Sequence, residues 1–368
     1  MANTFLDRTA LNDLLNGACF LGGGGGGPMS GARPLIDLIV KEYDGVTLVP
    51  YDSLDPELPC AVVAGIGAPD AATHGPSFSS APKDAFLKLQ AVSGTTLGAV
   101  LPGETGAMNS IIAALVAAQL GLPLVDVDSS GRALPTLSLA AYNLATEPTV
   151  LTLANQPVTD EQQATAVIET RTAPQADSVV RALLTTQAFE QEGAFSTWLM
   201  TAGQLPGASV DGTVTRAIAV GAALREARAA GDDPVEAVNA VLDGQLVRLS
   251  CGTLTAFSSH EGGGFDGYTI VLTDDDGHVV TVSAVNENLL AWRSDSDAPL
   301  AAAPDTLAWL AEDGTPLSNT DLRGLTAGTR LHLLGIPAAP ILRTPLLAAR
   351  FAKELAGIGF FGQAPRLD

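Results

Sequence analysis

One stretch concentrates the residues able to do chemistry. From Leu101 to Pro135 the chain reads LPGETGAMNSIIAALVAAQLGLPLVDVDSSGRALP and carries Glu104, Asp126, Asp128, Asn109 and Arg132. Glu104 lies in a loop that leaves a short apolar run just ahead of a helix-like segment. Asp126 and Asp128 end the apolar run that follows that segment, two residues apart, so extended backbone points both the same way. A strand-helix-strand unit of right-handed connectivity sets the two strand ends side by side at the carboxyl edge of a sheet. Three carboxylates, an amide and a guanidinium gathered there can bind a divalent metal, share a proton at a raised pKa, or take the N–H groups of a urea-like ligand. The same residues also suit ordinary structural work: Glu104 near a helix start, and Asp128 in a Ser-Ser-Gly turn. Residue types alone do not separate these alternatives.

Other candidates are scattered. His74, in AATHGPSF, follows an apolar run and is within reach of the same edge, whereas His260 precedes a second glycine group. The histidines show no short ligand spacing, so a histidine-based metal centre has no support. Cys19 precedes six consecutive glycines, Gly22 to Gly27, and reads as a buried, inert thiol rather than a nucleophile. The glycine run matches any glycine motif trivially. A phosphate-binding loop needs Lys followed by Ser or Thr after it, and Pro28, Met29 and Ser30 stand there instead, so no nucleotide is expected. With ordered segments on both sides, the run reads as backbone that approaches a ligand or another part of the chain closely. Glu287, between Asn286 and Asn288 at a strand end, is placed to reach a cleft between domains.

The elements around these residues alternate over the first 160 residues. Helical spacing marks RTALNDLLNG, GARPLIDLIVKEYDG and GAMNSIIAALVAAQLG, and short continuous apolar runs mark VTLVPY, CAVVAGIG, TLGAVLP and LPLVDVD. Continuous apolar strands between helices predict a mostly parallel sheet covered on both faces. Beyond Pro157 the texture changes: two strand-like segments, a helical pair over 214–244, then mainly strands, with an Asp-Gly hairpin signal in TDDDGHVVTV. The expected fold is therefore an α/β N-terminal domain (residues 1–160, mostly parallel sheet with flanking helices) and a β-rich C-terminal domain (161–368).

Composition excludes several function classes. The chain has 368 residues, of which 46% are hydrophobic and 16% charged, which describes a well-filled globular protein. A net charge of −21 argues against nucleic acid and against an anionic membrane surface as partners. The N-terminus carries Asp7, Arg8 and Asp13 where a signal peptide needs unbroken apolar sequence. Three widely spaced cysteines fit a reducing cytoplasm rather than a disulfide framework. High apolar content favours a homo-oligomer.

Several motifs together resemble one family. GACFLGGGGGG, GIGAP at 65–69, PGETGAMNS through VDVDSSGRALP, VNENLLAW at 285–292, PDTLAWL and GTRLHLLGIPAAP occur in order along nearly the whole chain. The pattern is similar to that of the S-methyl-thiohydantoin desulfurase family, whose members often accompany hydantoin-utilisation enzymes. Glu104, Gly106, Asn109, Asp126, Asp128, Gly131, Arg132 and Pro135 match that pattern, while Ala107 and Ser129 replace glycines and the His74 loop stands where a Glu is usual. The resemblance implies two domains and action on a cyclic ureide or thioureide, with water added at C2 of the ring and sulfur lost. On that reading Glu104 or Asp128 is the general base. Asn109 and Arg132 stabilise the developing anion with backbone of Gly24, Gly25 and Gly26, and His74 and Glu287 contact the ligand. A divalent metal on Asp126 and Asp128 would activate the water. The other class of function is a non-catalytic, ligand-binding accessory subunit of a hydantoinase-type system, using the same residues to hold a ring without turning it over.

Overall fold

A computed structural model describes residues 3–67, 78–157, 159–262 and 264–367. The first half opens with β1 (Thr4–Leu6) and α1 (Arg8–Leu21), followed after the glycines by α2 (Met29–Tyr43) and β2 (Val46–Val49). Then come β3 (Pro59–Gly67), α3 (Ala81–Ser93), β4 (Ala99–Pro102), α4 (Ala107–Leu120), β5 (Leu124–Val125) and β6 (Val127–Asp128). The chain continues through β7 (Val150–Ala154), β8 (Thr165–Glu169), α5 (Ala173–Leu184), β9 (Glu192–Thr201), β10 (Val210–Asp211), α6 (Thr213–Ala230) and α7 (Pro234–Val241).

Eight of these strands form one sheet in the order β1-β2-β5-β4-β3-β9-β7-β8. Its centre, β2-β5-β4-β3, is parallel, and the flanking strands run antiparallel. The expected α/β domain with a parallel sheet and flanking helices is thus present. The sheet also takes in β8 and β9, so the change of texture at Pro157 is not a change of sheet.

The parallel strands are apolar on both faces because both faces are covered. Ala61 and Val63 of β3 join the core under α1–α4, and Cys60, Val62 and Ala64 join the opposite core with Tyr142, Leu184 and Trp198. Helix α4 is buried on every side of its first three turns, which explains its uniformly apolar sequence. Helix α6 crosses α1 at two glycines: a Cβ on Gly17 would lie 1.7 Å from the Ala217 carbonyl oxygen, and one on Gly221 would lie 1.8 Å from that of Asp13.

The second half builds β11 (Val247–Gly262), β12 (Phe265–Asp274), β13 (Val279–Val285), β14 (Glu287–Arg293), β15 (Ala301–Ala302), β16 (Thr306–Ala311) and β17 (Pro316–Leu317). The short α8 (Asn319–Leu322), β18 (Arg330–Ile336) and α9 (Pro345–Gly357) complete it. These eight strands form a wholly antiparallel sheet, β15-β14-β13-β12-β11-β18-β16-β17. The Asp-Gly signal is the β12–β13 turn, with Gly277 at φ 86°. Among the described residues no helix is long and apolar enough to cross a membrane.

Candidate active site

At the carboxyl edge of the parallel strands lies a cleft of about 750 Å³, walled by both halves of the chain. Three carboxylic side chains line it, Glu104, Glu192 and Glu287, together with Asn109, Arg181 and an apolar wall that includes Phe195 and Trp198.

Glu104 sits between the end of β4 and the start of α4. Asn109 Nδ2 donates to its Oε1 at 2.7 Å, and the Leu134 backbone N–H donates to its Oε2 at 2.7 Å. Asn109 is itself fixed by the Gly65 N–H, which donates to its Oδ1 at 2.9 Å. Burial pushes the Glu104 carboxyl up to about 7, outweighing the opposing effect of these hydrogen bonds. A carboxylate poised near neutrality inside a cleft has the proton affinity a general base needs.

Glu287 comes from the other half. β13 turns directly into β14 around Asn286, whose φ of 55° lies in the left-handed region that Asn tolerates. The turn is locked by Asn286 N–H donating to the Asp266 carbonyl at 2.7 Å and by Asp266 N–H donating to Asn286 Oδ1 at 2.9 Å. The tip carries Glu287 into the cavity with only 2% exposure, and its Oε2 has no hydrogen-bond partner. Burial, and then the Glu104 charge, raise its pKa well above the carboxylate range. The environments thus rank the two: Glu287 is the firmer holder of a proton and Glu104 the first to ionise.

The structure separates the residues that alternation was expected to unite. Asp126 and Asp128 do not converge, because the chain bends between β5 and β6. Asp126 turns to the start of α6, where its Oδ1 accepts from the N–H groups of Val214 (2.9 Å) and Thr215 (3.0 Å), and its Oδ2 from Thr215 Oγ1. Asp128 turns inward: Thr105 Oγ1 donates to Oδ2, and the Ser130 (2.8 Å) and Gly131 (2.6 Å) N–H groups donate to Oδ1. Burial pushes Asp128 up to about 6. Neither lines the cleft, and each already has donors aimed at both oxygens. Among the described residues no group of three or more His, Cys, Asp or Glu side chains is placed to hold a metal ion.

Arg132 also lies behind the cleft rather than in it. Its guanidinium donates to the carbonyls of Ala133, Pro304, Asp305 and Asn288 at 2.7–3.1 Å, tying the first half to the second. Burial depresses its pKa, while its charge works against the upward shifts of Glu104 and Glu287.

The glycine run is a hub of close backbone contacts. The Gly26 carbonyl accepts from Met108 N (2.9 Å) and Asn109 N (3.2 Å), so it satisfies the open donors at the start of α4. The Gly23 and Gly24 carbonyls accept from the N–H groups of Asn288 and Asn319. Gly26 lines the cleft beside Gly27; Gly24 and Gly25 do not. Gly24 abuts the Asn319 and Asn288 side chains, and a Cβ on Gly25 would lie 2.0 Å from Glu287 Oε1. His74 lies outside the described residues. Cys19 is buried in α1, and burial raises its thiol pKa well above the usual value, as expected of an inert group. His260 is exposed on β11.

Arg181, Glu192 and Trp198 were not singled out by the sequence. Arg181 is one polar residue of an amphipathic helix and Glu192 one of two glutamates flanking Gln191, so neither carries a local signal. Trp198 does carry a backbone one: its φ of 47° sits at a register shift between β3 and β9. Such bulges re-aim side chains beside active sites.

Models of the S-Me-THD-like family match the whole length, the N-terminal domain over residues 9–170 and the C-terminal domain over 171–362. The crystal structure of a protein from Chromobacterium violaceum is 32% identical, covering 99% of this chain and 100% of that one, with a TM-score of 0.85. No curated protein matches the chain.

Proposed function

Because the chain belongs to the S-Me-THD-like family, we propose that its cleft hydrolyses an S-methyl-2-thiohydantoin, or a related 2-thiohydantoin, at C2 of the ring. The observation that carries this reading is the pairing of Glu104 and Glu287 in one cavity, with the first near neutrality and the second held protonated.

Glu104 takes a proton from water as the water oxygen attacks C2. The C2=N electron pair moves onto the ring nitrogen, which takes up the proton removed by Glu104, giving a tetrahedral centre that bears a hydroxyl and the methylthio group. Glu287 gives its proton to the departing sulfur, the C–S bond breaks, and the hydroxyl proton passes to the Glu287 carboxylate as the C2 carbonyl forms, which restores both side chains. Water and the S-methyl ring thus become a hydantoin and methanethiol, and no oxidant or reductant is required. Asn109 holds Glu104 in place throughout. Arg132, buried behind the pair, moderates the build-up of negative charge without touching the ring. The apolar wall of Met108, Phe195 and Trp198 suits a methylthio group and limits bulk water.

The test is to incubate the protein with an S-methyl-2-thiohydantoin in ¹⁸O-enriched water. The reading predicts methanethiol together with a hydantoin labelled at the C2 oxygen. Tight binding of the ring with no product would favour a non-catalytic, ligand-holding subunit.

A further inference from the structure

Glu192 has no part in that chemistry, yet it occupies the same cleft. It begins β9 and pairs with Gly67 at the carboxyl end of β3. Its Oε2 is buried and has no hydrogen-bond partner. Buried acceptors are nearly always paired, so an unpaired one facing a cavity has a ligand as its natural partner.

Its distance from the reacting groups is set by the sheet. Asn109, which holds Glu104, is anchored on the N–H of Gly65. Glu192 lies opposite Gly67, two residues further, or about 7 Å along the strand. Ile66 and Phe195 line the same cleft, so a ring substituent that reaches Glu192 runs beside apolar side chains.

The charge balance of the cleft decides what that substituent is. Three carboxylic groups face one guanidinium, that of Arg181. The two terminal nitrogens of that guanidinium are engaged: they donate to the carbonyls of Gly264 at 2.6 Å and Pro135 at 2.8 Å, while the Nε has no hydrogen-bond partner and faces Asp177 at 3.8 Å, and the group stacks 3.9 Å from the centre of the Phe265 ring. With Glu287 protonated, an anionic substituent would still face Glu104 and Glu192, whereas a cation with N–H donors would meet the open acceptor on Glu192.

We propose that Glu192 determines specificity for the ring substituent, and that the preferred ligand carries a cationic, N–H-donating group on a short chain at C5. This rests on the thiohydantoin reading of the cleft. The experiment is calorimetric binding of three hydantoins, substituted at C5 with aminobutyl, isobutyl or carboxyethyl, to the wild-type protein and to Glu192→Gln. The aminobutyl compound is expected to bind the wild type about tenfold or more tighter than the isobutyl one. Glu192→Gln should erase that preference while leaving isobutyl binding within about threefold. Tightest binding of the carboxyethyl compound, or equal binding of all three, overturns the inference through the wild type alone. So does a preference unchanged in a folded Glu192→Gln protein. If no hydantoin binds at all, the thiohydantoin reading falls, and this inference with it.

Discussion

Glu104 and Glu287 enter one cavity from the two domains of the chain, and the charge on Glu104 helps keep Glu287 protonated. Neither residue has the other's surroundings. Glu104 accepts two hydrogen bonds, whereas Glu287 is almost fully buried with an unpartnered oxygen. On the proposed chemistry, this difference suits the first to act as base and the second as acid.

Glu287→Gln should therefore keep the fold while losing the acid. A neutral amide replaces a neutral carboxylic acid of nearly the same shape, so the melting temperature should equal or exceed that of the wild type. Release of methanethiol should fall by about 10²- to 10⁴-fold, the usual size of a general-acid contribution. A large loss of stability in this variant would show instead that Glu287 is ionised in the folded protein.

Activity and stability should move in opposite directions with pH. The folded-state pKa values of Glu104 and Glu192, about 7, and of Asp128, about 6, all lie above ordinary carboxylate values. Raised acids bind protons more tightly in the folded chain, so their stabilising contribution is complete below about pH 4 and is lost as pH rises through 6 to 7. The melting temperature should fall between pH 5 and pH 8, while kcat/KM should rise as Glu104 ionises, through about pH 7. Thermal melts and a pH–rate profile on one preparation check both; a melting temperature that rises over this interval contradicts the assignment.

Gly25→Ala should act on Glu287 alone. The new Cβ would lie 2.0 Å from Glu287 Oε1, so that side chain must move, and the Gly25 backbone imposes no left-handed strain of its own. A displacement of this size at a reacting group costs about 10²-fold in rate. Gly26→Ala should be worse for the fold, since its φ is 77° and its Cβ would meet the Gly106 backbone at 2.3 Å. Circular dichroism with kinetics on both variants distinguishes the two effects.

Asp126→Ala and Arg132→Ala should be stability variants rather than binding variants. Loss of the cap on α6 should cost about 1–2 kcal/mol. Loss of the buried Arg132 leaves carbonyls from both halves unpaired beside buried acids, and about 3–5 kcal/mol is expected. Denaturant titration measures both, and hydantoin binding by the Asp126→Ala protein should be unchanged.

The placement of Glu104, Asn109 and Glu287 at the cleft was legible in the sequence because each position follows from a local rule: a loop between strand and helix, or a strand-end turn. The alternation of Asp126 and Asp128 misled for a tertiary reason. The backbone at Asp126 bonds on one side to the Val49 carbonyl and on the other to the Gly212 N–H, a residue far along the chain. That bend sends one carboxylate to α6 and the other to Thr105. The glycine run was legible as a close approach, but its neighbours, Gly106, Glu287 and Asn319, lie in segments that only the folded chain brings together. Glu192 and Arg181 reach the cleft only through the packing of β9 and α5 there, which no spacing announces.

The central claim is tested most directly by methanethiol release from an S-methyl-2-thiohydantoin with the wild type and Glu104→Gln, each paired with calorimetric binding of the product ring. The account predicts release by the wild type, and at least about a 10²-fold loss in Glu104→Gln with hydantoin still bound. Undiminished release by a folded Glu104→Gln protein would contradict it.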